Sequence, residues 1–461
     1  MTLATLHTEA NEIAQIEAIL VDSLQAIFHS HAPEDKIHRI TIDIPSIDII
    51  NWFEKQDVEE KIFWSDRDSK FSVAGIHFAD KIENGTDQQH PELFEKIHGQ
   101  LITADDSVKY YGGIKFDTAS KVSERWKKFS TAVFILPRFE LLKRNDGYQF
   151  VCNVILPHDI QNQELILSQV SHLDFSLEIH EENTFQSYQR VDYPNREEWI
   201  SRVQSSLDAL NSDTYEKIVL ARQTELTFQN ELTPSSLMSK LLESTSNCFH
   251  FCFQLSKSNA FLGATPERLY YRKQDILKCE AVAGTRSRGD DERHDRSLGD
   301  ELLRSKKDIR EHKYVIDSIL ESLTNYIDKK EKPSVGDVLL VQLAKVQHLI
   351  KRFRFKLHDT TSDFDLVNSL HPTAAVGGYP KQNIFKEIAK LEQFDRGWYA
   401  APIGWISKNT SEFAVAIRSG LIDNNRLTLY SGAGIIDGSI PESEWDEIEN
   451  KISNYLKILE S

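Results

Sequence analysis

The chain has 461 residues, 40% of them hydrophobic and 27% charged, the composition of a folded globular protein with room for a large core or for two or three ordinary domains. Fifty-four lysines and arginines against 71 aspartates and glutamates leave a net charge of −17, and with no sizeable basic patch this argues against a nucleic-acid or anionic-membrane partner. Four cysteines, Cys152, Cys248, Cys252 and Cys279, show no CxxC spacing and sixteen histidines show no HExxH, which argues against a disulfide framework and a zinc site. No apolar run approaches the roughly eighteen residues of a membrane span. The first basic residue is Lys36, so the sequence predicts neither a secretory signal nor a transit peptide, and a cytoplasmic protein is expected.

In chain order, residues 8–30 read as an amphipathic helix with Ile13, Ile16, Ile19, Leu20, Leu24 and Ile27 on one side. The stretch to about residue 180 alternates β-type runs, such as 131–136 and 148–155, with polar turns, and carries no motif assignable to chemistry. Residues 181–200, with Pro194 and Asn195, read as a seam before a helix over 199–210. From residue 215 the chain becomes strand-rich, with interior strands over 215–222, 260–263, 413–418 and 426–430, and helices over 297–328, 381–392 and 440–459. Strands in runs, rather than strict βαβ alternation, predict an α+β architecture with antiparallel sheets. Without a GxGxxG or P-loop, a nucleotide cofactor is not expected.

The residues able to do chemistry lie in this second part. Lys217 begins an apolar strand and shares a face with Val219 and Ala221, so its ammonium must pair, reach water, or give up its proton and serve as a base. Pro266 cannot donate to a ladder, which puts Glu267 at a bulge or strand end, either as a solvated turn residue or beside a cavity as a general acid. Gly284 and Thr285 end a strand, as a plain hairpin turn or as an N–H and hydroxyl for a carboxylate. Asp308 and Glu311 are i, i+3 neighbours on the next helix, whose apolar side reads as Ile309, Ile316, Leu320 and Leu323; with Arg304, Lys307 and Arg310 nearby they serve equally as surface ion-pair partners. Arg418 closes an apolar strand and is able to clamp a carboxylate bidentately.

Gly432-Ala433-Gly434 reads as a turn aiming bare N–H groups at an anion. The last helix then sets Glu444, Glu447 and Lys451 on one stripe, with a Ser439/Glu442 capping box, Pro441 in the first turn, and Trp445, Ile448, Ile452, Leu456 and Leu459 as its buried face. Glu447 and Lys451 read equally as a solvated i, i+4 pair. Together Asp308, Glu311, Glu444 and Glu447 offer four carboxylates, a donor set that favours Mg²⁺ over Zn²⁺.

Ten runs in order carry a family likeness: Lys217-Ile-Val-Leu-Ala-Arg222, Ala264-Thr-Pro-Glu267, Ala283-Gly-Thr-Arg286, Asp308-Ile-Arg-Glu-His312, Lys345-Val-Gln-His-Leu349, His371-Pro-Thr-Ala-Ala-Val-Gly-Gly-Tyr-Pro380, Arg396-Gly-Trp-Tyr399, Ile417-Arg-Ser419, Gly432-Ala-Gly434 and Glu444-Trp-Asp-Glu-Ile-Glu-Asn-Lys451. Over roughly residues 200–460 they resemble the chorismate-utilising enzymes, most closely the isochorismate synthases, whereas residues 1–190 match in length and general character only. The likeness implies one α+β fold in which large antiparallel sheets flanked by helices enclose a buried site, with a chorismate-binding catalytic region at 191–461 behind an N-terminal part, 1–190, of the same fold. It implies Mg²⁺-dependent conversion of chorismate to isochorismate, by water attack at C2 with loss of the C4 hydroxyl, in menaquinone or siderophore biosynthesis.

By the same likeness Lys217 is the base that activates water and Glu267 the acid that protonates the departing hydroxyl. Glu311 and Glu447 are implied as Mg²⁺ ligands, with Asp308 and Glu444 behind them. Gly284, Thr285, Tyr399, Arg418, Gly432, Gly434 and Lys451 surround the substrate carboxylates, and His348 lies near the ring. The lysine at 217 sets the chain apart from relatives that attack with ammonia, such as anthranilate synthase. A salicylate synthase, which also expels pyruvate, is the alternative reaction, although Ala375 stands where such lyases tend to carry threonine; a non-catalytic chorismate-binding protein is the alternative of another class. Tyr399-Ala400-Ala401 departs from the family's Tyr-x-Gly by one methyl group. The partner expected is chorismate alone, with no nucleic acid or membrane, for a monomer or weak homo-oligomer.

Overall fold

The computed structural model describes residues 3–29, 36–84, 90–145, 147–176, 185, 187–212, 214–328, 330–342 and 346–460, with side chains in the first helix described from Gln15 onward. Its organising element is the strand Ala132–Arg144, almost wholly buried. One edge pairs along its length with Phe71–Asn84, while the other takes Tyr110–Ile114 at its start and Gly147–Leu156 at its end. The changeover falls around Pro137, which has no N–H to give a ladder.

From this fork two antiparallel runs diverge. The longer passes from Lys36–Ile44 through Gly147–Leu156, Ala132–Arg144, Phe71–Asn84, Lys61–Ser65, Phe249–Ser256, Asn259–Thr265, Ser419–Asp423 and Arg426–Ile436 to Lys217–Phe228. The other continues from Tyr110–Ile114 through Pro402–Ile406, Thr410–Val415, Arg268–Lys273 and Ile276–Ser287 to Val346–Lys356. Period-two alternation turns successive side chains of a strand to opposite faces of the sheet. Phe249, Phe251 and Phe253 point into a core shared with Phe261, Trp126, Phe129 and Trp398, while Cys248 and Cys252 point to a layer of helices carrying Trp52, Phe53, Leu237 and Ile452. Trp398 sits edge-on to Phe129 at 5.1 Å and to Phe253 at 5.7 Å; each such ring contributes roughly 1.5–3 kcal/mol by leaving water. The four cysteines are buried and free. Among the described residues no helix is long and apolar enough to cross a membrane.

The α+β, antiparallel architecture agrees with the sequence reading, but several elements do not. The first helix, Leu3–Phe28, buries Ile16, Leu20, Leu24 and Phe28 and leaves Ile19 exposed; the side chain of Ile13 and residue 30 lie outside the described residues. In the seam, 181–184 and 186 also lie outside them, and Tyr188–Tyr193 is a strand on Lys217–Phe228, followed by a helix, Arg196–Leu210, that Asn195 and Glu198 cap reciprocally.

The expected helix over 297–328 is two helices, Glu292–Arg304 and Lys306–Leu323, because the extended backbone of Ser305 ends the first and its hydroxyl caps Asp308 N in the second. Ile309 and Leu320 are exposed there, and the buried stripe is Asp308, His312, Val315, Ile319 and Leu323. The neighbouring strand draws the two polar residues inward: Arg286 pairs with Asp308 at 2.7 Å, and the Ala281 carbonyl accepts from His312 Nε2 at 3.0 Å. The later helices are Ile384–Glu392 and Pro441–Glu460. Pro441 opens the last helix, but no Ser439/Glu442 box forms, since the Ser439 hydroxyl accepts from Ile436 N at 3.2 Å and bonds Glu444. Trp445 and Leu456 are only partly buried on that helix; Ile448, Ile452, Tyr455, Ile458 and Leu459 form its inner face.

Candidate active site

Strand Arg426–Ile436 runs beside Lys217–Phe228 with Gly432 opposite Ala221 and Gly434 opposite Val219. The expected Gly432–Gly434 turn is therefore strand interior, its backbone engaged in the ladder, and what these glycines provide is space. A Cβ on Gly434 would stand 2.9 Å from both Lys217 Cε and Glu311 Oε1, and one on Gly432 would stand 3.1 Å from the Tyr399 hydroxyl. Lys217, 1% exposed, uses that space to donate from Nζ to Glu311 Oε1 at 2.8 Å. Of the fates open to a lysine on an apolar strand, it has paired.

Glu267 lies, as expected, at a strand end, between Asn259–Thr265 and Arg268–Lys273. Its N–H donates to Thr265 Oγ1 at 3.3 Å and its carbonyl accepts from Val415 N at 3.0 Å. Burial pushes its carboxyl up to about 7 against the pull of Lys217, Lys451 and Arg418, so it holds a proton up to neutral pH. The strand before Arg418 stops at Val415 rather than at Arg418, which sits in the left-handed region (φ 50°) before Ser419–Asp423. Tyr455 Oη and Ala264 N hold that corner by donating to the Arg418 carbonyl, at 2.9 and 3.1 Å. Burial works against the charge of the Arg418 guanidinium, which has no salt bridge among the described residues. That is the state of a cation prepared for an incoming anion.

Tyr399 stacks on Tyr430 with ring centroids 5.1 Å apart and 16° between planes. Ala400 takes the left-handed backbone (φ 60°), Ala401 is fully buried, and the tyrosine keeps its stack. Gly284 is a bulge inside strand Ile276–Ser287, with the register shifting between Ala283 and Thr285, and not the strand end expected. Its φ of +73° and lack of a Cβ admit Asp308, 3.1 Å from where that Cβ would be. Across the ladder, His348 Nδ1 lies 3.2 Å from the Gly284 carbonyl and 3.0 Å from Thr285 Oγ1. Burial, with Arg418 next, pushes His348 down to about 4, so the ring is neutral at pH 7. A hydrogen on Nδ1 donated to Gly284 leaves Nε2 a buried acceptor without a partner among the described residues.

The carboxylates are each met by a cation. Glu447 Oε1 takes Lys451 Nζ at 2.6 Å, and that ammonium also donates to the Gly432 carbonyl at 2.8 Å. Buried Glu444 takes Lys307 Nζ at 3.1 Å. Burial raises the Glu444 carboxyl and the Glu447 charge raises it further; at Glu447, whose side chain keeps 45% of its surface, partial desolvation is outweighed by Lys451 and the group is held below the usual range. Burial also works against the Lys307 ammonium, but Glu444, Glu311 and Glu447 more than offset it.

Glu311, Glu444 and Glu447 thus stand around one region of positive charge, together with Lys217, Glu267, Arg418, Lys451 and His348 in one electrostatic neighbourhood. Asp308 turns instead to Arg286, and Thr285 is exposed at the rim. Among the described residues no three His, Cys, Asp or Glu side chains already close on a common point. Lys307 was missed as part of this group; the signal was its place four residues before Glu311, on the same helix stripe. Lys345 of the 345–349 run lies outside the described residues.

The chain matches the pattern of the chorismate binding enzymes over residues 22–460. It is 31% identical over 443 residues to the isochorismate synthase MenF of Escherichia coli K12, covering 91% of this chain and 93% of the relative. It is 29% identical over 457 residues to the isochorismate synthase MenF of Bacillus subtilis strain 168, covering 93% and 95%. The solved structure of MenF, described as the menaquinone-specific isochorismate synthase from Escherichia coli, superimposes with a TM-score of 0.82 at 27% identity, over 95% of this chain and 98% of that one. With the family pattern running through both sheet runs and the relatives aligned nearly end to end, the chain belongs to the chorismate binding enzyme family.

Proposed function

We propose that the protein is an isochorismate synthase, an isomerase that moves the hydroxyl of chorismate by adding water at C2 as the C4 hydroxyl departs. The observation that carries this reading is the pairing of roles at one buried site: Lys217, fixed by Glu311 at 2.8 Å, and Glu267, kept protonated to about pH 7 by burial. Lys217, as the base, takes a proton from water as the oxygen bonds to C2. Both conjugated ring double bonds shift, from C1=C2 to C1=C6 and from C5=C6 to C4=C5, the C4–O bond breaks, and Glu267 gives its proton to the departing hydroxyl, which leaves as water. Arg418 and Lys451 bind the substrate's carboxylates, with Tyr399, Gly284, Thr285, Gly432 and Gly434 shaping the space around them and His348 beside the ring.

The carboxylates fit a hard divalent cation by their chemistry, because Glu311, Glu444 and Glu447 are all-oxygen donors grouped where positive charge is already stabilised on Lys307. Glu311 and Glu447 would hold Mg²⁺, with Glu444 and, more remotely, Asp308 behind them. When bound, such an ion neutralises a substrate carboxylate. On this reading residues 191–461 are the catalytic region, residues 1–190 complete the sheets, and the enzyme works in the cytoplasm as a monomer or weak homo-oligomer, in menaquinone or siderophore biosynthesis.

The test is to incubate the protein with chorismate and Mg²⁺, with a chelated control, and to resolve the products while assaying pyruvate. Isochorismate without pyruvate is expected. Salicylate with equal pyruvate would move the protein to the lyases, and binding without turnover would make it a chorismate-binding protein. A second expectation concerns pH. Glu267 must be protonated to act, so kcat/KM falls as pH rises through about 7, and Glu267→Gln removes both that limb and about 10²–10⁴ of the rate. A profile flat from pH 6 to 9 in the parent enzyme would rule Glu267 out as the acid.

A further inference from the structure

Strand Lys217–Phe228 has one complete edge and one broken edge. Arg426–Ile436 covers the first throughout, whereas the second meets Gly378–Tyr379 only at Lys217 and Ile218 and meets Tyr188–Tyr193 only from Gln223 onward. Between them, two residues beyond Lys217, the buried backbone of Val219 to Arg222 has no strand partner on that side among the described residues; Val219 N donates to the Gly377 carbonyl at 2.8 Å, which leaves the Val219 carbonyl and Ala221 N. Such groups require partners from elsewhere.

They find them in a buried ion pair. Glu392 Oε1 accepts from Ala221 N at 2.7 Å, and Arg396 Nη2 donates to the Val219 carbonyl at 2.8 Å. The two side chains, each 3% exposed, bond each other through Arg396 Nε and Glu392 Oε2 at 2.8 Å and through Nη2 and Oε1. Arg396 Nη1 ties in the Val376 carbonyl at 2.8 Å, and its guanidinium lies over the Phe116 ring at 4.2 Å and near the Tyr399 ring at 5.9 Å. Every strong bond of this guanidinium runs to backbone or to Glu392; none reaches the substrate region.

We propose that the Glu392–Arg396 pair is a positioning element of the active site, standing in for the missing strand and so fixing Lys217 and Tyr399 relative to one another. This rests on the isochorismate synthase reading and adds to it residues that touch no substrate. A cavity of 310 Å³ lined by Phe116, Phe385, Phe394, Glu392 and Arg396 opens beside the pair. It gives a route by which a small guanidinium can enter if the arginine side chain is removed.

The experiment is kcat and KM for isochorismate formation in Arg396→Ala, with and without millimolar methylguanidinium, alongside circular dichroism. Because a displacement of about 1 Å at reacting groups lowers rates about 10²-fold, kcat is expected to fall by about that factor with KM within about threefold, and to recover at least tenfold with methylguanidinium. Recovery absent, or KM rising in step with a small kcat loss, would reduce the pair to a stabilising contact and overturn the proposal. Should Arg396→Ala not fold, Arg396→Lys decides: lysine keeps the charge but reaches few of these acceptors, so a folded variant with unaltered kcat overturns the brace. A parent enzyme that makes no isochorismate overturns the proposed function itself, whereas an active parent with unaltered variants overturns the brace alone.

Discussion

Replacing Lys217 with alanine is expected to lower isochorismate formation at least about 10³-fold while chorismate still binds within a few-fold of the parent affinity. A positioned base contributes about 10²–10⁴ in rate, and the neighbouring lysines, Lys451 and Lys307, are engaged with Glu447 and Glu444. The groups proposed to bind the substrate, Arg418 and Lys451, are held by other elements: Arg418 by Tyr455 and Ala264 through its carbonyl, Lys451 by Glu447 and the Gly432 carbonyl. Neither depends on Lys217. The alanine variant also leaves Glu311 without its ammonium, which for a buried pair costs about 3–5 kcal/mol; Glu311 keeps 20% of its side-chain surface in contact with solvent, so the loss here is smaller. Lys217→Gln separates the two effects, since an amide donates to Glu311 without being a base. Kinetics and calorimetric titration of both variants decide the matter, and an alanine variant with parental kcat would remove Lys217 from the mechanism.

Glu447→Gln is expected to raise the Mg²⁺ concentration for half-maximal activity about 10²-fold, by taking one negative charge from an oxygen-donor site. Glu444→Gln should raise it less, because Glu444 is turned to Lys307 at 3.1 Å and sits behind the other two carboxylates in the proposed arrangement. The freed Lys451 keeps its bond to the Gly432 carbonyl, so the helix stays seated. Activity titrated with Mg²⁺ in the parent and both variants gives the order directly. Three superimposable titrations would exclude these carboxylates as the ion's ligands.

Much of the site was legible because its signals are local. Pro266 forces a strand to stop before Glu267, and the helical spacing of Glu444, Glu447 and Lys451 gathers them on one stripe whatever the rest of the chain does. What was misread depends on distant partners. Gly432-Ala433-Gly434 has the composition of a turn and is strand interior only because Lys217–Phe228 lies alongside it. Ile309 and Leu320 look like the inner side of their helix until Arg286, from another strand, draws Asp308 inward. The brace at Glu392 and Arg396 was invisible for the same reason, since nothing near residue 392 announces that a strand 171 residues earlier lacks a neighbour.

The fork at Ala132–Arg144 also shapes how the protein can be made. Gly113 pairs with Ile403, and Ile62 pairs with Phe253. At about 5–20 residues per second, the strand carrying Gly113 leaves the ribosome roughly 15–60 s before its partner exists. Throughout that interval the nascent chain carries an apolar sheet with an open edge, and contacts of such long sequence separation close slowly even once both strands are present. A fragment ending before residue 400 lacks Pro402–Ile406, the strand that covers this edge, and leaves it open as a template for self-association.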